Sequence, residues 1–278
     1  MTVDHAGAVG VAITTLAFDG RDAQPTIRAV AIESPVNVVY GTVPYAVMMM
    51  TPADFEDFAV GFSLTEGIVR TRSDIRRVWM TQETDGLRLM VDLEPERLHW
   101  VLARRRAMSG RTSCGVCGIE DLASLPRSAQ RPLTHISLEP LAIRRALLAL
   151  STYQTLNDAT RAVHAAAWAG LAGDIACVRE DVGRHNALDK LIGALLSSET
   201  DPGSGFFLVT SRCSYEMVEK AAAFGAEALV AISAPTSLGV ERARQHGMTL
   251  IGVARPDAIT LFTGHLTGED GGVHALSL

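Results

Sequence analysis

The 278-residue chain is 47% hydrophobic and carries a formal net charge of −6, enough apolar side chain to bury a sizeable core in one large domain or two smaller ones. The acidic balance excludes nonspecific attachment to nucleic acid or to an anionic membrane, since both need a broadly basic face. No apolar stretch reaches a bilayer span, and Asp4 and His5 stand where a signal peptide would be basic and then apolar; a soluble cytoplasmic protein is the expectation.

In chain order, Val36 to Met50 alternate as two strands around a turn at Gly41 to Pro44. A helix follows, with Thr51 as cap, Pro52 at the first helical position and Gly67 closing the end; Phe55, Phe58 and Phe62 form an apolar stripe predicted to face the core. From Leu98 to Arg111 the chain turns basic, through Arg104, Arg105 and Arg106, and enters SGRTSCGVCG. Its glycines permit backbone angles closed to other residues, so the segment reads as an exposed, mobile loop, and Pro126 and Pro132 mark an extended connection beyond it. The predicted division is an α+β N-terminal domain, 1–130, ending in this loop, and an α/β domain, 131–278.

From Asp174 onward the apolar runs IACV, FFLV, ALVAI and TLIGV alternate with helical segments beginning near Arg184, Ser214 and Ser237, the last two ending at Gly225 and Gly247. Such alternation predicts a largely parallel sheet flanked by helices. The loops after the four strands then gather at one sheet edge, bringing together Glu180, Asp181, Arg184, His185, Asn186, Ser211, Arg212, Thr236, Ser237, Arg255 and Asp257. Helix N-termini and three arginines in those loops favour a phosphorylated ligand; the plainer alternative is that these residues cap helices and pair among themselves. His164 is open to three readings: ligand, proton carrier or core residue. No G-x-x-x-x-G-K-[ST] segment and no G-x-S-x-G elbow is present.

Four cysteines in a chain this long do not make a disulfide scaffold. Cys177, in an apolar run, reads as a small core residue, and Cys213 lies in the polar turn TSRCS. Cys114 and Cys117 form a C-x-x-C pair. Neighbouring arginines, Arg104 to Arg106 and Arg111, favour a thiolate at Cys114, which suits a thiol that accepts sulfur and hands it on, with Cys117 resolving the product. Half of a zinc site completed by His135, His164 or His185 also stays open, as does a thioredoxin-like pair, although that motif follows a strand and opens a helix.

Five segments in order, AVMMMTPADFEDFAVGFSLTEGIV, GRTSCGVCG, VREDVGRHNALDKLIG, SYEMVEKAA and APTSLGVERA, give the chain its resemblance to the formate dehydrogenase accessory sulfurtransferase (FdhD) family over nearly its whole length. The resemblance implies a homodimeric sulfurtransferase that takes persulfide sulfur from a cysteine desulfurase and passes it to the molybdenum bis-molybdopterin guanine dinucleotide cofactor before insertion into the formate dehydrogenase catalytic subunit. It puts the persulfide on Cys114, a cofactor-binding segment on Val253, Ala254, Arg255, Pro256, Asp257 and Ala258, and a cytidine-deaminase-like fold on the larger domain. The resemblance also implies guanine nucleotide such as GDP as a partial mimic of the cofactor; on the loop reading above, Arg184, His185, Asn186, Arg212, Thr236, Ser237 and Arg255 would hold its phosphate and guanine groups, and no protein-held catalytic metal is required. A cofactor-binding chaperone with structural or zinc-binding thiols is the alternative. Two departures stand out: Arg161 and Ala162 replace a usual glycine pair, and Ser211, Arg212, Cys213 replace a glycine-containing turn. Deaminase activity is not expected, because the H-x-E and P-C-x-x-C zinc signature is missing.

Overall fold

The computed structural model describes residues 7–19, 23–106, 136–268 and 273–275. Cys114, Cys117, Arg111, Pro126, Pro132, His135 and the predicted boundary at 130/131 lie outside them. An antiparallel hairpin, β1 (Ala8–Thr15) and β2 (Gln24–Ala31), opens the chain. A four-stranded mixed sheet follows in the order β4-β3-β6-β5, from β3 (Ser34–Tyr40), β4 (Val43–Met50), β5 (Ile75–Glu83) and β6 (Gly86–Leu93). The β3–β4 turn falls at Gly41 and Thr42 as the alternation requires, with Gly41 in the left-handed region at φ 61.

The first long helix, α1, runs Phe55–Thr65, three residues later than the predicted start at Pro52. Thr51 is diverted from capping it. Its backbone N–H donates to Asp181 Oδ2 at 3.0 Å, and its hydroxyl accepts from the Val182 N–H at 3.2 Å. Phe58 and Phe62 are buried and stacked, with centroids 5.2 Å apart, while Phe55 packs half-buried at the core's margin. Each fully buried aromatic contributes roughly 1.5–3 kcal/mol, and a stripe at this spacing supplies that from one helix face.

After α2 (Pro95–Arg106) and then α3 (Pro140–Leu150) and α4 (Thr155–Thr160), the second sheet is built from β7 (His164–Gly170), β8 (Ile175–Asp181), β9 (Gly205–Val209), β10 (Ala228–Ala231), β11 (Thr249–Gly252) and β12 (Thr260–Thr263). The helices α5 (Arg184–Ser197), α6 (Tyr215–Phe224) and α7 (Ser237–Gln245) connect its strands. A short pair, β13 (His265–Thr267) and β14 (Val273–Ala275), ends the described chain. The order is β12-β11-β10-β9-β7-β8.

The expected largely parallel sheet is corrected to a mixed one, since only β9–β10 and β10–β11 pair parallel. The cause is β7. A turn at Gly170 to Gly173 folds β8 back along it, and β7 then inserts between β8 and β9, antiparallel to both. Because β7 opposes both neighbours, β8 still points the same way as β9, β10 and β11.

Side chains alternate between two cores with the period of a strand. Ala166, Trp168, Phe207, Val209, Leu229 and Leu250 face α1, α5, α6 and the four-stranded sheet, while Ala167, Ala169, Phe206, Leu208, Val230 and Ile251 face α3. One core therefore joins both sheets through the layer of α1, α5 and α6.

Candidate functional site

The ends of β8, β9, β10 and β11 open on one edge, joined there by the start of β7, and the first turns of α5, α6 and α7 rise from the same loops. Of the predicted residues, those after β8 divide into framework and site. Asp181 is fully buried: Oδ2 lies 2.7 Å from Lys190 Nζ, and Oδ1 accepts from the Gly183 N–H at 2.8 Å and Asn186 Nδ2 at 3.0 Å. Asn186 gives its other amide bond to Met49 O, so its donors hold the turn rather than reach outward. Glu180 accepts from the backbone N–H groups of Leu156 and Asn157, both at 2.8 Å, satisfying donors that the first turn of α4 would otherwise leave free.

Arg184 and His185, the first two residues of α5, have a different character. Arg184 Nε is buried with no hydrogen-bond partner, a condition that protein interiors avoid because an unmatched buried donor costs about 1–3 kcal/mol; His185 Nε2 is buried without a formed hydrogen bond, its nearest partner a carboxylate 3.5 Å away. The positive end of the α5 dipole adds to Arg184, so the place favours an anion. His164, at the start of β7, is half-buried. Burial, then the charges of Arg184 and His185, hold its imidazole below the usual range, which keeps the ring neutral at pH 7.

Sequence reasoning passed over Glu216 in the first turn of α6. Its Oε2 accepts from Ser214 Oγ at 2.8 Å and lies 3.5 Å from His185 Nε2. His185 is the largest cause pulling this carboxyl down to about 2. An acidic residue in a helix's first turn was visible in SYEMVEKAA as ordinary dipole complementarity; only the fold puts it against the histidine of another loop.

The remaining loops close the edge. Ser211 is buried, with Oγ donating to Arg212 O, and Arg212 is exposed. Thr236 caps α7, its Oγ1 accepting from the Gly239 N–H at 3.2 Å, and Ser237 stands exposed beside it. In the segment Val253 to Ala258, Val253 takes φ 51 and Ala254 is buried. Arg255 is exposed, although its Nη1 donates to Ile232 O and to Ala254 O, tying the ends of β10 and β11 together. Pro256 O accepts from Arg144 Nε at 2.9 Å; Asp257 and Ala258 are exposed, and Ala258 O accepts from the Arg255 N–H.

Both described cysteines are free. Cys213 is fully buried, which pushes its thiol up to about 12. Cys177 is half-buried, less interior than a core residue, and accepts from Arg179 Nη1 at 3.3 Å; burial raises its thiol despite that guanidinium. Both are thiols at neutral pH and weak nucleophiles.

A cleft of about 320 Å³ lies beside β8, lined by Thr51, Asp54, Tyr153, Thr155, Arg179 and Glu180 among others. It shares only Glu180 with the predicted set. Its one guanidinium is spent on Asp57, 2.7 Å away, and Arg184, whose buried Nε has no hydrogen-bond partner, is not in its lining, so the sheet edge is the better candidate. Among the described residues no group of three or more His, Cys, Asp or Glu is placed to hold a metal ion, and no helix is long and apolar enough to cross a membrane.

Arg161, where the resemblance implies glycine, ends α4 in the left-handed region at φ 58. Its exposed pair with Asp158, at 2.8 Å, offsets little of that strain. Arg161→Gly is therefore expected to stabilise the fold by about 0.5–1 kcal/mol after glycine's greater unfolded-state freedom is counted. Thermal unfolding checks this; a lower Tm would mean the Asp158 pair outweighs the backbone.

An α/β protein whose sheet edge gathers three helix N-termini and the buried Nε of Arg184 is what fold and site define. The chain belongs to the FdhD/NarQ family, whose model matches residues 31–267. It is similar to proteins named "Sulfur carrier protein FdhD" from Xanthomonas euvesicatoria, with 50% identity over 81% of this chain and 80% of that one, and from Cupriavidus necator, with 47% identity over 84% and 81%. Its fold is also that of a crystal structure from Desulfotalea psychrophila described as a formate dehydrogenase accessory protein, with a TM-score of 0.71 at 24% identity, covering 92% of this chain and 96% of that one.

Proposed function

We propose that this chain is a sulfur carrier acting through a persulfide on Cys114, delivering sulfur to the molybdenum bis-molybdopterin guanine dinucleotide cofactor destined for formate dehydrogenase. The observation that carries the reading is the kinship at 47–50% identity with proteins named as sulfur carriers. The chemistry of the thiols supports it. Cys177 and Cys213 are held protonated by burial, so the transfer chemistry falls to Cys114 and Cys117.

The Cys114 thiolate attacks the terminal sulfur of a persulfide on a cysteine desulfurase; the new S–S bond forms on Cys114 and the donor leaves as a thiolate. Attack by Cys117 on the Cys114 sulfur then makes the Cys114–Cys117 disulfide and expels hydrosulfide at the cofactor, a step that consumes two thiol electrons and requires later reduction of the disulfide. At the sheet edge, Arg184 Nε and the first turn of α5 would take a phosphate oxygen of the bound cofactor. Arg212, Thr236, Ser237 and Arg255 stand on the neighbouring loops for its remaining polar groups. GDP, as part of that cofactor, is the simplest probe of the edge.

The reading keeps a homodimer, a cytoplasmic location and formate dehydrogenase as the recipient. The order β8-β7-β9-β10-β11, with β7 reversed, supports a cytidine-deaminase-like description of the larger part, and the division at 130/131 goes with it. The test is to incubate the protein with a cysteine desulfurase and radiolabelled cysteine and to run a non-reducing gel. Wild type is expected to carry reductant-sensitive label that Cys114→Ala loses entirely. Unlabelled wild type beside an active desulfurase would leave a cofactor-binding chaperone as the function.

A further inference from the structure

Within the edge, one contact joins two loops that the reading of the ligand site treats separately. His185 stands in the first turn of α5, after β8, and Glu216 in the first turn of α6, after β9, and the imidazole of the first meets the carboxylate of the second at 3.5 Å. Glu216 is not free to wander: Ser214 Oγ, at the N-cap of the same helix, donates to the same oxygen at 2.8 Å. The imidazole is mostly enclosed, with 23% of its side chain exposed, and Arg184 and His164 stand beside it. A carboxylate near an anion site is an electrostatic cost unless it does something the site needs, because it repels the ligand the site is built to take.

We propose that Glu216 is the positioning residue of the edge: its carboxylate holds His185 Nε2 and sets the plane of the ring, so that the other ring nitrogen of His185 meets a guanine-nucleotide ligand in one orientation beside Arg184. The chemistry is that of a carboxylate behind a histidine, where the bond made by one ring nitrogen decides what the other can offer. The charged groups facing the ring come from each neighbouring element. Glu216 on α6 faces Nε2 and His164 on β7 lies within electrostatic reach of the ring, while Arg184 on α5 and Asp181 at the end of β8 act on His164 in turn; Asp181 is held by Lys190. Of these, Glu216 is the one paired with the ring. At 3.5 Å the contact is longer than a charge-assisted hydrogen bond and acts through charge and orientation.

The inference rests on the edge being the ligand site, and the experiment separates the two. Full-length wild type, Glu216→Gln and Glu216→Asp are each titrated with GDP by calorimetry, and the ring nitrogens of His185 are followed by ¹⁵N NMR at a pH where the imidazole is neutral. Glu216→Gln keeps the shape and a hydrogen-bonding group but removes the acceptor's charge. The expected result is binding weakened roughly tenfold, the worth of one charge-assisted hydrogen bond, with the ring changing from a uniform Nε2–H form to a mixture of tautomers. Glu216→Asp should recover part of both. GDP binding that is unchanged or tighter in Glu216→Gln overturns the proposal, since the carboxylate would then only repel anions. An unchanged ring spectrum overturns it as well. Wild type that binds no GDP while Glu216→Gln still scrambles the tautomer would sink the ligand site and leave the positioning contact standing.

Discussion

Gly193→Ala is expected to cost about 4 kcal/mol of folding stability, near the top of what single substitutions do, although alanine is the better helix former by about 1 kcal/mol. The sign reverses because α1 and α5 cross backbone to backbone. A methyl group built on Gly193 would lie 1.8 Å from the carbonyl oxygen of Asp57, and one on Gly61 would lie 1.8 Å from that of Asp189. A flexible side chain could move aside from such a contact; a helical carbonyl moves only with its helix. The two helices would have to separate, loosening Phe58, Leu188, Leu191 and Ile192, which are all fully buried between the two sheets. Urea unfolding measures the loss directly, and an unchanged midpoint would mean the crossing is wider than the structure shows. Because Arg184 and His185 begin α5, the separation would also displace the turn that presents them at the sheet edge.

That crossing also shows what the sequence could and could not disclose. The glycines of VGF and LIGAL sit inside helical patterns, where glycine is ordinarily a cost, and nothing along the chain says that each faces the other across 132 residues. The phenylalanine stripe of α1 and the four apolar runs were readable because their information is local, in the period of burial. The strand β7 was ambiguous because HAAAWAG is apolar throughout, as a strand covered on both faces must be. Its reversed direction followed from a turn whose partner strand had to be known first. At the site, the motif residues were legible as a set, but their division was not. Asp181 and Asn186 look as available as Arg184 in REDVGRHN, and only the buried lysine one turn further along α5 shows where their bonds go.

Lys190→Met is expected to cost about 3–5 kcal/mol, because it strands Asp181 as an uncompensated charge in the interior. Neither side chain has any exposed surface, and the ion pair measures 2.7 Å. Lys190 Nζ also donates to Thr51 O at 3.0 Å, and Asp181 accepts from the Thr51 N–H, so the pair clamps the residue that joins β4 to α1 onto the end of β8. The same aspartate holds the Gly183 N–H and Asn186 at the start of α5. The cluster therefore couples the four-stranded sheet to the turn that presents Arg184 and His185. Methionine matches the length and volume of lysine, so a packing defect contributes little and the loss measures the stranded charge. In the double variant Lys190→Met with Asp181→Asn the carboxylate's charge goes with its partner, while amide oxygen and nitrogen keep part of the network. Its loss should then be well short of the sum of the two single losses, a coupling that chemical denaturation of all four proteins reads as a cycle. Additive losses would mean that the two side chains stabilise the fold independently, through Thr51 and the α5 turn rather than through each other.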